Sequence, residues 1–574
     1  MKKFLLILIS LLIIAGSYYF WFMNKALAPV RHSTDNGSEK IPVVIVPHFD
    51  NFADKRAELL KDIGEKYQPK IAVVVSVNHF NSGSASIITA DRNWALNGGD
   101  MQSNKDFAQK LVASGLADSD SSAFDKEHGI TNVLPSVRDS ISKNFLPIII
   151  RDNTPRDQID KLADWLSANI SDAILVASVD FSHYQPNALA QIHDRFSIQA
   201  LANLDSEKTW TAETDSSQTL YLAEKIATTS AAKNFHLFYN SNSGAVNNND
   251  DSETTSVVLG YYSNKTPENS LAGGEPSTSF VIAGDAMFDR NVWQSYQSDL
   301  KNVFSNFGTR VFRGVDAPIL NLEGPVSSVS HPGIQTGGMS FNFQPQVPSV
   351  LSYLNVGAVS LANNHTNNAG NSGFATTKSM LSKSEIKYFG QPQGFNKDAS
   401  ILQIDGPIPT TIIGIMALDS FDQAAMESSI KVEKAAGRTI IIFPHWGTEY
   451  APKHSISQEQ LAKSWISAGA DIIIGSHPHV VEDFQLIDGK PVIYSLGNFV
   501  FDQFFSQETQ EGLVVAGTIS KDKITLTFLP TVEKKVKPQF MTGNTKTAKI
   551  ESIFDINSET GFIKKNGDTI EITR

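Results

Sequence analysis

The chain has 574 residues, of which 19% are charged and 41% hydrophobic, and a net charge of −12. That length exceeds what one hydrophobic core serves and implies two to four domains, while the acidic balance argues against a general binder of nucleic-acid backbone. The absence of cysteine excludes disulfides, thiolate metal sites and a cysteine nucleophile, so any metal must be held by His, Asp, Glu or Asn.

Residues 1–27 begin with two lysines followed by an uncharged apolar span, Phe4 to Met23, with Tyr18, Tyr19, Phe20 and Trp21 near its far end. Such a span is long enough to cross a hydrocarbon core of about 30 Å, and the positive-inside rule puts its start in the cytoplasm. The expectation is a transmembrane signal anchor in the cell membrane, single-pass, with the bulk of the chain extracytoplasmic. Ala26-Leu27-Ala28 offers the alternative of a cleaved signal peptide. Residues 28–40 are polar and turn-rich and read as a tether.

From Ile41 apolar runs alternate with helical patterns. VVIVPH, IAVVVSVNHF, Leu146 to Ile150 and Ala173 to Ser178 read as strands, and Lys55 to Lys66 and Pro155 to Asn169 as helices. This predicts an α/β domain over 41–263 with a largely parallel core, in which Asn240 to Thr255 is a surface loop before a closing strand at Ser256 to Tyr262. Residues 264–277, rich in Pro, Gly, Ser and Asn, read as a linker. A second α/β domain, 278–530, is announced by SFVIAGDAMF, APILNLEG, GAVSLANNH, TTIIGIM, TIIIFPHWG and DIIIGSHPH, with a helix over Gln458 to Ser467. Residues 531–574 form an extension of β character, with a hairpin turning at Asn566-Gly567.

The runs of the second domain end in Asp285, Glu323, Asn363, Asn364, His365, His445, His477 and His479. Strand ends are where α/β proteins place chemistry, and carboxylate, imidazole and amide oxygen together suit a divalent cation: Mn, Zn, Fe or Mg. Two-metal sites add a bridging carboxylate, and such sites polarise a phosphoryl oxygen and activate water. The run Ile472 to Gln503 contributes two strand ends to this set.

GDAM at Gly284, NLEGPV at Asn321, LANNHTNNAG at Leu361, HWGTEY at His445, GSHPHV at Gly475 and YSLGNFVFDQ at Tyr494 resemble the CapA family of capsule and poly-γ-glutamate synthesis proteins. That family is similar to the calcineurin-like metallophosphoesterases, which implies an α/β sandwich. The resemblance implies Asp285 as first-metal carboxylate, Glu323 as the bridge, Asn364 as the amide ligand, and His445, His477 and His479 as further ligands. It makes His365 the catalytic acid or the group stabilising a transferring phosphoryl. Met287 stands where the phosphatase Asp-x-His motif has histidine, and Asn368 where many relatives have Asp. Arg290, Arg313 and Trp446 lie near the motifs as candidate contacts to an anionic substrate, and Asn498 as a residue that orients a ligand.

In the first domain the strand-end residues are His48, Asn78-His79, Glu127-His128, and Asp180 with His183. Separated histidines at neighbouring strand ends can make a mononuclear site, with Asp50, Glu127 or Asp180 as carboxylate companions. These motifs, with ETDSSQTLYL at Glu213, resemble the Memo family, known in prokaryotes as AmmeMemoRadiSam system protein B, whose fold is similar to the extradiol dioxygenases. The resemblance implies His48 and His79 as ligands of iron or copper, His183 as a catalytic third histidine of the pocket, and His128 as an adjacent substrate contact. The family often carries a cysteine at this site, and this chain has none.

The expectation is thus a metal-dependent hydrolase of the metallophosphoesterase class fused to a Memo-like metal-binding domain. Its partners would be an anionic surface polymer or its synthesis machinery, and the membrane reached through the N-terminal helix, with no nucleic acid. The alternatives are a non-catalytic polymer-binding module with a degraded two-metal site, and a redox activity in the first domain.

Overall fold

The computed structural model describes residues 39–249, 251, 254–267, 274–333, 339–554 and 563–574. One reading needs correction at the outset. Among the described residues no helix is long and apolar enough to cross a membrane, so a single-pass membrane protein is not supported. The span on which that expectation rested, within residues 1–27, lies outside the described residues.

Four strands, Val43–Val46, Ala173–Ser178, Ile71–Val77 and Asn144–Ile150, lie side by side and parallel at the centre of an 11-stranded sheet. Their β-branched runs are buried on both faces, as parallel strands covered by helices must be. Val44, Ala72, Val74 and Val176 meet Leu59, Leu60 and Ile63 of helix Ala53–Lys66 on one face. Val43, Ile71, Val73 and Leu175 meet Ile159, Leu162 and Leu166 of helix Arg156–Asn169 on the other. Thr254–Ser263 closes one side antiparallel to Val43–Val46. The expected loop from Asn240 is instead the end of strand Asn234–Asn242 followed by a short helix, Ser243–Asn247. The Asn242 side chain caps that helix by accepting from the Ala245 N–H at 2.8 Å, so polar composition here signals a cap rather than a loop.

The second domain is a sandwich of two sheets. One runs through Ala358–Ser360, Ala317–Leu322, Ser277–Ala286, Glu511–Ser520 and Lys523–Lys534. The other runs through Thr410–Met416, Thr439–His445, Ile472–Ile474 and Lys490–Ile493, all parallel. Phe280, Ile282, Ile319, Ile412, Ile441, Phe443, Ile472, Ile493 and Val515 fill the space between them, each worth about 1.5–3 kcal/mol of burial. Helices Gln423–Ala435 and Ile456–Ala468 cover the second sheet from outside through Met426, Ile430 and Trp465. The C-terminal stretch is continuous with this domain: Lys523–Lys534 crosses residue 531, helix Gly543–Ile553 interrupts the expected β character, and hairpin Ile563–Asn566 and Thr569–Thr573 joins the sheet. The molecule is therefore mixed α/β in two domains.

The domains share a seam. Leu189 and Ile192 of helix Asn187–Asn203 belong to the apolar core that includes Val514 and Ala516 of the second domain. Lys208 Nζ meets Asp316 at 2.5 Å, and Gln199 donates to Ser277 Oγ at 2.9 Å.

Candidate metal centres

In the first domain His48 and His79, just past the carboxyl ends of two parallel strands, meet His128 at the start of the short helix His128–Thr131, and His48 also groups with Asp180 and Asp215. His48 Nε2 lies 3.0 Å from Asp215 Oδ2 and 3.2 Å from Asp180 Oδ2. Its Nδ1 is 3.2 Å from Ser178 Oγ, whose own proton goes to the Gly129 carbonyl at 2.6 Å. The hydroxyl must therefore accept from Nδ1–H, which leaves Nε2 turned toward the carboxylates. His79 is set in the same way by Glu127, 2.5 Å from its Nδ1, a carboxylate–histidine pair that orients the ring and raises its basicity.

The charges agree with such a centre. Burial alone would depress the His79 imidazole, but bonding to Asp215 and Glu127 outweighs it and raises its pKa to about 9. Burial likewise opposes a charged His48, and the Asp180 and Asp215 carboxylates overcome that opposition. Burial raises Asp180, whereas Asp215, although buried, is held below its ordinary value by His48 and His79. His128 is lowered by burial and by the two neighbouring imidazoles.

Two roles differ from expectation. His128, placed beside the site as a substrate contact, stands in the histidine group itself, its ring 4.1 Å from that of His79. His183, placed as the third pocket histidine, lies outside both groups; its backbone N–H donates to Glu213 and its Nδ1 is buried without a partner. Asp50 pairs with Arg56 instead of joining the centre. Asp215 escaped the sequence reading although ETDSSQTLYL was singled out, because it follows no apolar run.

The second centre is deeper. Asp285, Glu323 and His445 form one candidate ligand group, all buried, and Glu449, His477 and His479 form another. His479 links the two: its Nδ1 is 3.4 Å from Asp285 Oδ2 and its Nε2 3.6 Å from Glu323 Oε1. His477 Nδ1 is 3.1 Å from His445 Nε2, which also lies 2.9 Å from Asn364 Oδ1. Ser476 Oγ, donating to the Pro444 carbonyl, takes the Nδ1 proton of His445 at 3.1 Å, just as Ser178 does for His48. Asn498, its amide nitrogen donating to the Thr509 carbonyl, offers its oxygen to His479 Nδ1 at 3.0 Å. His445 and His479 therefore turn Nε2 inward, whereas His477 presents its Nδ1 to His445.

This crowding is what a cation would relieve. Burial drives the Glu323 carboxyl well above its ordinary range, the adjacent Asp285 charge adds to it, and Glu323 Oε1 is a buried oxygen without a hydrogen-bond partner. Burial and neighbouring imidazoles press His445 well below its ordinary value and His477 down to about 4. Neutral imidazoles packed nitrogen to nitrogen against abutting carboxylates form a donor set that fits divalent ions. The backbone is also strained here: His477 has φ of 100° and His479 of 58°, conformations that side chains rarely adopt.

His365 sits at the mouth, its Nε2 3.9 Å from Glu323 Oε1 and its Nδ1 3.0 Å from Asn368 Oδ1. Asn368 thus supplies the acceptor that an aspartate would. Asn363 is internal, bonded to Asn321 and Leu322. Arg290 is held by Asp502 between the rings of Phe341 and Phe501, 5.1 and 5.5 Å away, and its charge opposes the rise of Glu323. Two candidates do not reach the site. Trp446 is fully buried, stacked on Trp465 and Tyr494 and donating to the Tyr494 carbonyl at 2.8 Å. Arg313 stands at the domain seam, donating to Ser217 Oγ of the first domain at 3.1 Å. Met287 is buried in the apolar core with its sulfur accepting from the Asp289 N–H, so it lends no ligand. Glu449 was missed, although it lies within the HWGTEY motif.

Comparison with known proteins divides the chain along the same line. Residues 13–259 match the family described as Memo-like protein, and residues 279–503 that described as bacterial capsule synthesis protein PGA_cap. Capsule biosynthesis protein CapA of Bacillus anthracis is 27% identical over 266 residues, covering 41% of this chain and 62% of its own. PGA biosynthesis protein CapA of Bacillus subtilis is 28% identical over 255 residues, covering 42% and 66%. The chain therefore spans less than two thirds of either capsule relative. The MEMO1 family protein MMP1387 of Methanococcus maripaludis is 30% identical over 222 residues, covering 35% of this chain and 75% of its own. The chain thus belongs to the Memo family through its N-terminal domain, to which it joins a C-terminal domain similar to bacterial capsule synthesis proteins.

Proposed function

We propose that the C-terminal domain is a metal-dependent hydrolase of the metallophosphoesterase type, serving the synthesis or export of an anionic surface polymer such as poly-γ-glutamate. The observation that carries this reading is the buried juxtaposition of Asp285 and Glu323 with His445, His477 and His479, and with His365 beside Glu323. A divalent ion held by these residues would supply Lewis acidity toward a phosphoryl or acyl oxygen. The donor set suits Mn, Zn or Fe better than Mg, which prefers oxygen alone. Arg290, fixed by Asp502, orients the anionic substrate with a preset positive charge. Burial keeps His365 neutral near pH 7, so its Nε2 is free to take a proton at the mouth and return it to a leaving group. In the first domain His48, His79, His128 and Asp215 would hold a second transition-metal ion, iron or copper.

The test is metal analysis of the purified chain and turnover of a chromogenic phosphodiester and of poly-γ-glutamate with Mn²⁺, Zn²⁺ or Mg²⁺. Asp285→Ala and His477→Ala should each lose metal from the C-terminal centre and at least 100-fold of any turnover, on the order of 3 kcal/mol. Full metal content in both variants would remove the site. Bound metal without turnover on any substrate would favour a polymer-binding module.

A further inference from the structure

The stretch that presents Asp215 to His48 and His79 is held from the other domain. Arg310 Nη1 donates to both Glu213 carboxylate oxygens at 3.2 and 3.3 Å and to the Thr214 carbonyl at 3.2 Å. Arg313 donates to Ser217 Oγ, and the Gly314 N–H to the Thr211 carbonyl at 3.1 Å. Val311 offers its carbonyl to His193 Nε2 at 3.3 Å. Residues 310–314 of the second domain therefore fix residues 211–217 of the first at four points. The approach is close enough that a Cβ on Gly314, whose φ is 66°, would lie 2.9 Å from the Glu213 nitrogen.

Glu213 is fully buried and also receives the His183 N–H at 3.2 Å. Without Arg310 it would be a buried carboxylate deprived of its directly bonded cation, an unfavourable state. The stretch would relieve it by moving Glu213 toward water. Asp215 is two residues on, and a shift of the stretch would strain the bonds that place it, from its own N–H to the Asp180 carbonyl and from the Asp180 N–H to its Oδ2.

We infer that Arg310 is a positioning residue for the first-domain centre, so that this centre is complete only while the C-terminal domain is docked. The inference rests on the reading that His48, His79 and Asp215 take a divalent cation. It is tested on the full chain with the second centre disabled by Asp285→Ala and His477→Ala, titrated with Co²⁺ by calorimetry and visible absorption. Adding Arg310→Ala should weaken cobalt binding at least tenfold and change the absorption bands, and Arg310→Lys should recover part of both. Lys208→Ala, which cuts the Lys208–Asp316 bridge across the same seam, should leave affinity within twofold and the bands unchanged. Equal affinity and bands in the parent and Arg310→Ala, or equal losses in Arg310→Ala and Lys208→Ala, would overturn the inference. Cobalt uptake insensitive to His48→Ala would instead remove the centre itself, and the inference with it.

Discussion

At the scale of single residues, each centre depends on where protons sit. The metal-free His79 keeps its proton to about pH 9, whereas an unfolded chain loses it near 6.5. Its pKa is raised by folding, so the stability it contributes is whole below pH 6.5 and is lost as pH climbs through 9. A cation must displace the same proton. Affinity at the first centre should therefore rise across that window and level off above it, with net proton release measurable by calorimetry in buffers of different ionisation enthalpy. Affinity that stays flat from pH 6.5 to 9 would show that His79 is not displaced.

Most candidate ligands were legible because imidazoles and carboxylates follow apolar runs, as His48, Asp285 and His477 do. Asp215 and Glu449 were not, since they follow turns whose path only tertiary packing decides. Trp446 was misassigned for a geometric reason: it directly follows the candidate ligand His445 at the strand end, and successive residues of extended chain point to opposite faces. Nearness in sequence is not nearness in space at a strand end.

At the scale of elements, the second centre is built by strands that end early and close together. Ile472–Ile474 is only three residues long, and the chain leaves it through Gly475. A Cβ there would lie 2.0 Å from the Tyr494 carbonyl and 2.4 Å from Trp446 Nε1, so the glycine sets how near the two strand ends can come. Gly475→Ala should cost about 2–4 kcal/mol in denaturant unfolding and weaken metal binding, because the displaced backbone carries His477. Unchanged stability would show that the strands can part without loss. The strands and helices themselves were readable from hydrophobic periodicity, as with Arg156–Asn169 and Ala173–Ser178. The left-handed turns at His477 and His479 were not, since nothing in GSHPHV requires positive φ at a histidine.

At the scale of the whole molecule, two domains with separate sheets share one apolar seam. Leu189 is fully buried in the second domain's core although helix Asn187–Asn203 belongs to the first. Leu189→Ala should cost about 2–5 kcal/mol. The loss should register in the partner domain, as faster hydrogen exchange in strand Glu511–Ser520, and confinement of the effect to the first domain would contradict the shared core. Sequence showed the division because linker composition is local. It could not show the seam, since an apolar residue such as Leu189 or Ile192 can pack equally against its own domain or against another.

That shared helix face also gives the nascent chain an order of events. A chain made from its N-terminus finishes the sheet bearing His48 and His79 while Glu511–Ser520 is still unsynthesised. Leu189 and Ile192 then wait in water, and for that interval the half-made protein carries an uncovered apolar strip that invites association with other chains. Only the arrival of the last strands retires it.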